Sequence, residues 1–573
     1  MKLILSYLSP HKRRMTCGLS IKVIATFIEL LLPMMLTYML DTVIEDAMIW
    51  EIIFFGCLML VCTFLTWWLN IYANRSAAKV SADVSESIRK DLFAKTLYLS
   101  SRQTDKFTVA SLESRITSDT YNVQHFLNMM QRMGVRAPIL LIGGITISLI
   151  MDSVLALAMI ATLPLIFIIV FFISRHGIPL YSRVQRSVDS MVRVVREDTQ
   201  GIRVIKALSK NEYENQRFAN CNERLSSDER KASIIMGIPS PVMTLLMNLG
   251  ICAVIALSAM RVSKNLSSPA TVIAFMQYFT LISMAMMTLS RIFVMMTKCM
   301  ASSNRISEVL SAPDEYILKL QEEEKLDTDA YIKFENVNFT YFGRKKNLKN
   351  VNFDLQKGAS LGIIGATGSG KTTLIKLLMR FYEIDSGRIL IRGKDITSYT
   401  REELTSMFGI AFQNDFLFAD TILENIKFGR DISDEDVIAA AKTAQAHQFI
   451  SEISDGYSHM LSPGGTNLSG GQKQRLLISR ALAARPPILI LDDSSSALDY
   501  KTDAMLREAL RRDFADTTVI TVAQRVSSVM SSDLILVLED GDVIGAGTHD
   551  ELLASCPEYK EISDSQMGGA FVE

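Results

Sequence analysis

Six long apolar stretches crowd the first 300 residues, at about 15–40, 52–73, 135–151, 153–174, 234–260 and 269–296, and they restrict the fold more than any other feature. A bilayer core takes about 20 mostly apolar residues per helix. Hydrocarbon offers a spanning backbone no partner but itself, so each stretch is expected to be a helix. The first is not read as a cleavable signal, because it is too long, contains Lys22, Glu29 and Pro33, and lacks a small-residue cleavage site. After about residue 330 the pattern changes to that of a soluble α/β protein. A chain of 573 residues suits two or three units. The expected division is a helical membrane domain over 1–312, a linker over 313–329 and an α/β domain over 330–573.

The charge distribution sets an orientation. Arg and Lys gather at the N-terminus (Lys12, Arg13, Arg14) and in the long segments at about 74–134 and 175–233, whereas the loop after the first stretch has Asp41, Glu45, Asp46 and Glu51 and neither Lys nor Arg. By the positive-inside rule both termini and both long segments are cytoplasmic. Arg261 and Lys264, in the fifth-to-sixth loop, are a mild exception. The long segments read as helical extensions of the spans, each broken by a short crosswise helix, around Thr104 to Ser118 and around Thr199 to Leu208. Lys plus Arg (60) nearly balance Asp plus Glu (61), which argues against nucleic acid as a partner. The seven Cys show no metal spacing and read as small core hydrophobes.

Two features of the spans admit a functional or a structural reading. Lys22 and Glu29 are seven residues apart, about two turns on one helical face. Glu29 either lines a substrate cavity or is a structural hydrogen-bond partner, with Lys22 snorkelling to the interface. The Met-rich last stretch (Met284, Met286, Met287, Met295, Met296) suits either a surface for varied apolar ligands or packed core.

The second half carries the chemistry. GATGSGKT, Gly365 to Thr372, fits the phosphate-binding pattern G-x-x-x-x-G-K-[ST] between an apolar strand, Ser360 to Ile364, and a helical run from Thr372 to Tyr382. Backbone N–H groups of Gly365, Thr367, Gly368, Ser369 and Gly370, followed by those of Thr372 and Thr373 at the helix N-terminus, are expected around phosphate oxygens. Lys371 supplies a point charge for the β/γ-phosphates, and Thr372 a hydroxyl for Mg²⁺. A second apolar run, Ile488 to Leu491, ends in Asp492, placing a carboxylate where Mg²⁺ would sit. A nucleoside triphosphate with Mg²⁺ is the ligand these motifs require.

Between the two lies NLSGGQKQR, Asn467 to Arg475, and here the sequence resembles the ATP-binding-cassette (ABC) family. Leu468, Ser469, Gly470, Gly471 and Gln472 match its signature motif. Tyr341 resembles the aromatic that stacks on adenine, Gln413 the glutamine that joins Mg²⁺ to the membrane domain, and Ser496 to Asp499 the loop after the second strand. The six spans resemble the membrane domain of the exporter subfamily, so the resemblance covers nearly the whole chain. It implies two cassettes paired head to tail with two ATP molecules between them, each ATP meeting one phosphate loop and the other cassette's signature. It also implies coupling helices that carry the closure of the cassettes to the membrane helices.

Two departures bear on catalysis. After Asp492 the family usually has the glutamate that polarises water, but this chain has Asp493; where the family has histidine before arginine, it has Gln524 before Arg525. Shortening by one methylene retracts the carboxylate by about 1.5 Å, and a 1 Å misplacement can cost about a hundredfold. Glutamine can hydrogen-bond a phosphate but cannot become cationic. His549 is read as part of another family stretch, GTHDELL. A third departure is SPGGTN before the signature, where exporters often have a glutamate and this chain has Pro463.

With the signature intact and Asp493 and Gln524 substituted, the resemblance implies the degenerate-site subunit of a heterodimer. Its partner would be a second, non-identical half-transporter carrying Glu and His, in a multi-pass arrangement suited to a bacterial plasma (inner) membrane, and the cargo small hydrophobic or amphipathic compounds. A homodimeric lipid or peptide exporter with slow ATPase, and a membrane-bound nucleotide sensor, are the alternatives.

Overall fold

The computed structural model describes residues 2–44, 49–264, 268–313, 330–341, 343, 346–413, 415–494 and 496–567. Glu45, Asp46 and the expected linker beyond Pro313 lie outside them. Packing divides the chain into two units, one of residues 1–97 and 109–312, the other of residues 98–108 and 313–573.

The first unit is helical. Among the described residues five helical runs are long and apolar enough to cross a bilayer: Leu3–Val43, Ile49–Leu97, Val109–Met151, Thr244–Val262 and Pro269–Leu310. The remaining expected stretch opens the 55-residue helix Ser153–Ala207, whose apolar start is Ser153–Thr162. We name α1 Lys12–Tyr38, α2 Ile49–Leu97, α3 Ser101–Phe107, α4 Arg136–Met151, α5 Ser153–Ala207, α6 Asn211–Gly237, α7 Pro239–Val262 and α8 Pro269–Leu310; of these, α3 belongs to the second unit. Several spans extend past the apolar stretches, as expected: α2 reaches Leu97 and α5 reaches Ala207. Leu30, Ala137, Leu140, Ala274 and Tyr278 make one apolar cluster between α1, α4 and α8. The Tyr278 hydroxyl donates to the Leu30 carbonyl at 2.7 Å, so this buried polar group is satisfied.

The structure amends the reading of the breaks. The first is real but earlier than expected: α2 stops at Leu97, and Ser100 opens α3 with a capping box to Gln103. The second has no separate helix, because residues 199–207 are the end of α5 and only Leu208 to Lys210 separate it from α6. Gly201 alone weakens a helix by about 1 kcal/mol, too little to stop one of that length. The cysteines are also mixed, with Cys299 and Cys556 buried but Cys17, Cys57 and Cys252 exposed, since apolar side chains need not face inward on a lipid-facing helix.

Among its described residues the second unit holds ten strands: β1 Ile332–Phe339, β2 Leu348–Leu355, β3 Ser360–Gly365, β4 Ser386–Ile391, β5 Lys394–Asp395, β6 Phe408–Ala411, β7 Ile488–Asp492, β8 Thr518–Val522, β9 Leu534–Glu539 and β10 Asp542–Gly547. One sheet runs β2-β1-β4-β5 and is antiparallel; the other runs β10-β9-β3-β8-β7-β6 and is parallel except at β10. Parallel strands buried on both faces need continuous apolar runs, and β7, ILILD, is buried at all five positions. Ligands of such sheets sit beyond the carboxyl ends of the strands. Here that edge gathers the ends of β3, β6, β7 and β8.

Candidate functional site

Register decides which residues meet at that edge. Ile363 pairs with Val522 and Asp492 with Val522, so the phosphate loop after β3, Asp493 after β7, and Gln524 after β8 leave the sheet side by side. Ala411 pairs with Leu491, which puts Gln413 and Asp493 each two residues beyond a matched pair. The outcome is a cavity of about 330 Å³ lined by Asn347, Thr367, Gly368, Gly370, Lys371, Thr372, Thr373, Gln413, Asp492, Asp493 and Gln524, among others.

The loop backbone is shaped by its glycines. A Cβ at Gly365 would lie 2.1 Å from the Leu538 carbonyl oxygen, and Gly370 holds φ at 108°, where L side chains are strained. Gly370 then opens α9, Lys371–Leu378. Lys371 Nζ donates to the carbonyls of Gly365 and Ala366, both at 2.8 Å, folding the ammonium back over the loop. Burial pulls the Lys371 ammonium below its usual range, opposed by the charges of Asp493 and Asp492. Ser369 Oγ, behind the loop, is buried without a hydrogen-bond partner. Thr372 Oγ1 donates to Asp492 Oδ1 at 3.2 Å, joining the two groups expected to hold Mg²⁺. Burial pushes the Asp492 carboxyl up, with the Thr372 hydrogen bond opposing it.

Asp493 and Gln524 are bonded to each other. Gln524 Nε2 donates to Asp493 Oδ2 at 3.1 Å, and Gln413 Nε2 donates to the same oxygen at 2.9 Å. The carboxylate is thus held between two neutral amides. Its backbone is left-handed, at φ 49°, a region in which Asp is enriched over most residues. Burial raises the Asp493 carboxyl; Lys371 and the two amides act against it. His549 is engaged elsewhere, with Nδ1 2.7 Å from the Tyr559 hydroxyl.

Tyr341 stands beside the cavity: its hydroxyl donates to Thr373 Oγ1 at 3.3 Å, and its ring meets Phe339 and Tyr382 edge-on. Two neighbours escaped the sequence reading. Asn347 lines the cavity and accepts the Tyr341 N–H on Oδ1 at 3.1 Å. Tyr382 donates to Asp105 of α3 at 2.6 Å, an approach between residues 277 apart that no local pattern announces. An asparagine just before β2 likewise carries no local signal.

The signature residues are away from this cavity, at the start of α10, Gly470–Leu482. Ser469 and Gln472 form a capping box: Gln472 N–H donates to Ser469 Oγ at 3.3 Å and Ser469 N–H to Gln472 Oε1 at 2.9 Å. Capping uses a lone pair of the Ser469 oxygen and leaves its O–H to donate outward. A Cβ at Gly471 would stand 3.1 Å from the Ala497 carbonyl oxygen, within the SALD loop. Asp499 ends that loop and caps α11, Tyr500–Asp513, by accepting from Thr502 N–H at 2.8 Å. Pro463 opens a short 3₁₀ turn, Pro463–Gly465.

A glycine-shaped phosphate loop, a lysine and a Thr–Asp pair at the end of a parallel sheet, in a chain with membrane-crossing helices, define a membrane protein with a nucleotide-triphosphate cassette. Comparison with known proteins agrees. Residues 15–286 match the family model of the ABC transporter transmembrane region and residues 348–496 that of the ABC transporter. An uncharacterized ABC transporter ATP-binding protein of Bacillus subtilis, YfiB, is 34% identical over 573 residues, covering 99% of each chain. Another from Mycobacterium bovis, Mb1304c, is 31% identical over 578 residues, covering 100% of this chain and 99% of its own. A bacterial Atm1-family ABC exporter solved with ATP bound shares the fold, with a TM-score of 0.82 at 24% identity over 97% of this chain and 98% of that one. The chain belongs to the ABC transporter family, with a transmembrane region followed by an ATP-binding domain. ATP-driven transport across a membrane is the family's activity.

Proposed function

We propose that this chain is one subunit of a heterodimeric ABC exporter of small amphipathic or hydrophobic compounds in a bacterial inner membrane, with a slow ATP site of its own and a signature motif that completes its partner's. The observation that carries this reading is the Asp493 carboxylate held by the amides of Gln413 and Gln524 in the phosphate cavity. A base shortened by one methylene and tied to two neutral donors is poorly placed to activate water.

The residues fit ATP and Mg²⁺. The loop amides at the cavity suit phosphate, Tyr341 suits the adenine, and the bonded pair Thr372 and Asp492, with Gln413, suits Mg²⁺, which is commonly bound through one or two carboxylates and completes its shell with phosphates and water. When bound, the metal and nucleotide supply the transferable phosphoryl group and neutralise its charge. Lys371 exchanges its loop carbonyls for the phosphates. Asp493 and Gln524 retain ATP without cleaving it rapidly. Ser469 donates its free O–H across to the partner's nucleotide, while Gly470 and Gly471 allow close backbone approach. Asp499 orders the loop beside them. The Tyr382–Asp105 bond offers a route from the adenine side of the cassette to α3.

Purification tests the proposal. The chain alone is expected to bind ATP and hydrolyse it slowly, and to turn over rapidly only with a half-transporter bearing Glu and His. Turnover of tens per second by the chain alone would refute it.

A further inference from the structure

Asn347 joins the aromatic side of the phosphate cavity to its loop side. Its Oδ1 accepts the Tyr341 N–H at 3.1 Å, and its own N–H donates to the Phe339 carbonyl at 2.8 Å, so side chain and backbone both hold it to the end of β1 and to Tyr341 beyond. Its carbonyl oxygen is packed against two glycines. A Cβ at Gly370 of the phosphate loop would lie 3.1 Å from that oxygen, and one at Gly541 2.6 Å from it. Gly541 is tied to the loop in turn, its N–H donating to the Ser369 carbonyl at 3.1 Å. Bonds and close packing therefore fix Asn347 between Tyr341 and Gly370.

The bond to Tyr341 also fixes which end of the amide is engaged. A backbone N–H needs an acceptor, and of the two amide atoms only Oδ1 is one. The Nδ2 group, a donor only, is left over. Among the described residues nothing accepts from it, although this half-buried residue lines the cavity. The fold has no use for that donor. It is also neutral, and so adds little for a triphosphate that Lys371 and the loop amides already meet; its natural partner is a neutral oxygen acceptor.

A nucleotide has a fixed covalent order of base, sugar and phosphates. With the base at Tyr341 and the phosphates on the loop, the sugar passes the residue that stands between them. We propose that Asn347 reads the sugar, its Nδ2 donating to a ribose hydroxyl oxygen, so that this site prefers ribonucleoside to deoxyribonucleoside triphosphates. The inference rests on the nucleotide placement given above and is independent of partner and cargo. Asn347 is a positioning and specificity residue, with no part in the cleavage step. A site with a donor set for a hydroxyl disfavours the analogue that lacks it, because the donor then goes unpaired.

The test is equilibrium displacement of radiolabelled ATP from the purified full chain in nanodiscs, on ice with Mg²⁺, by unlabelled ATP, 2′-deoxy-ATP or 3′-deoxy-ATP. One of the two deoxy analogues should bind about threefold to tenfold more weakly than ATP, the difference of one neutral hydrogen bond, and which one does so names the hydroxyl. Asn347→Ala should bring that ratio close to one. Any shift of Tyr341 on losing Oδ1 weakens all three nucleotides alike and cancels in the ratio. Tyr341→Ala keeps the N–H that Asn347 accepts, so it should weaken all three and preserve the ratio. Equal binding of the three nucleotides by the unaltered chain, a comparison that needs no variant, or an unchanged ratio in Asn347→Ala, would overturn the sugar contact and leave the ATP site standing. Failure of ATP itself to bind, or indifference of all three to Tyr341→Ala, would refute the nucleotide placement and the inference with it.

Discussion

Restoring glutamate at position 493 should recover little activity unless Gln524 is changed as well. In the structure one carboxylate oxygen of Asp493 accepts both amides, at 2.9 and 3.1 Å. Hydrogen bonds to a charged group contribute about 1.5–3 kcal/mol each, so a longer carboxylate is still drawn to the same donors. Glutamate adds about 1.5 Å of reach, yet the Gln524 amide remains to hold it off line, and a 1 Å misplacement alone costs about a hundredfold. The left-handed backbone adds a further cost, since Asp tolerates φ 49° better than Glu. Asp493→Glu is therefore expected to raise turnover by about threefold to tenfold, and Asp493→Glu with Gln524→His by about a hundredfold or more. Steady-state ATPase of the purified chain in nanodiscs at saturating Mg-ATP reads both. Full recovery by Asp493→Glu alone would show that the Gln524 amide does not restrain the carboxylate.

Three other outcomes are open to measurement. Tyr382→Phe removes the hydrogen bond to Asp105 and keeps the ring beside Tyr341, so substrate-stimulated ATPase of the dimer should fall about threefold to tenfold while basal ATPase and ATP affinity hold. Ser469→Ala removes the helix cap, about 1 kcal/mol, and the outward O–H; hydrolysis by the heterodimer should drop at least about tenfold with azido-ATP labelling of this chain unchanged. Asp533 accepts from Ser360 N–H and Oγ at 2.7 and 2.6 Å, which holds its carboxyl below the usual range. A depressed carboxyl stabilises above its unfolded value and loses that contribution as pH falls through the folded one, so Asp533→Asn should lower the thermal midpoint slightly at pH 7, and the gap should narrow as the pH falls below about 4 and close once it passes the folded value.

The sequence by itself determined the spans, the phosphate loop, Asp492 and the signature, because each is written in local order: apolar length, glycine spacing, a strand ending in a carboxylate. It also marked Asp493 and Gln524 as departures, by likeness to a family. Only the tertiary structure decided what those departures touch. Asp493 meets Gln413, 80 residues away, and Gln524, 31 residues away, because parallel register brings the ends of β6, β7 and β8 together. The same holds in the spans. Lys22 and Glu29 were visible as one face of a helix, but Asn70, Asn74 and Arg136 reach them from other helices: Lys22 is buried and bonded to the asparagines, so it does not snorkel, and Glu29 is paired with Arg136. Periodicity records which side of an element is apolar; the partner across a packed interface depends on register and crossing, which no local pattern encodes.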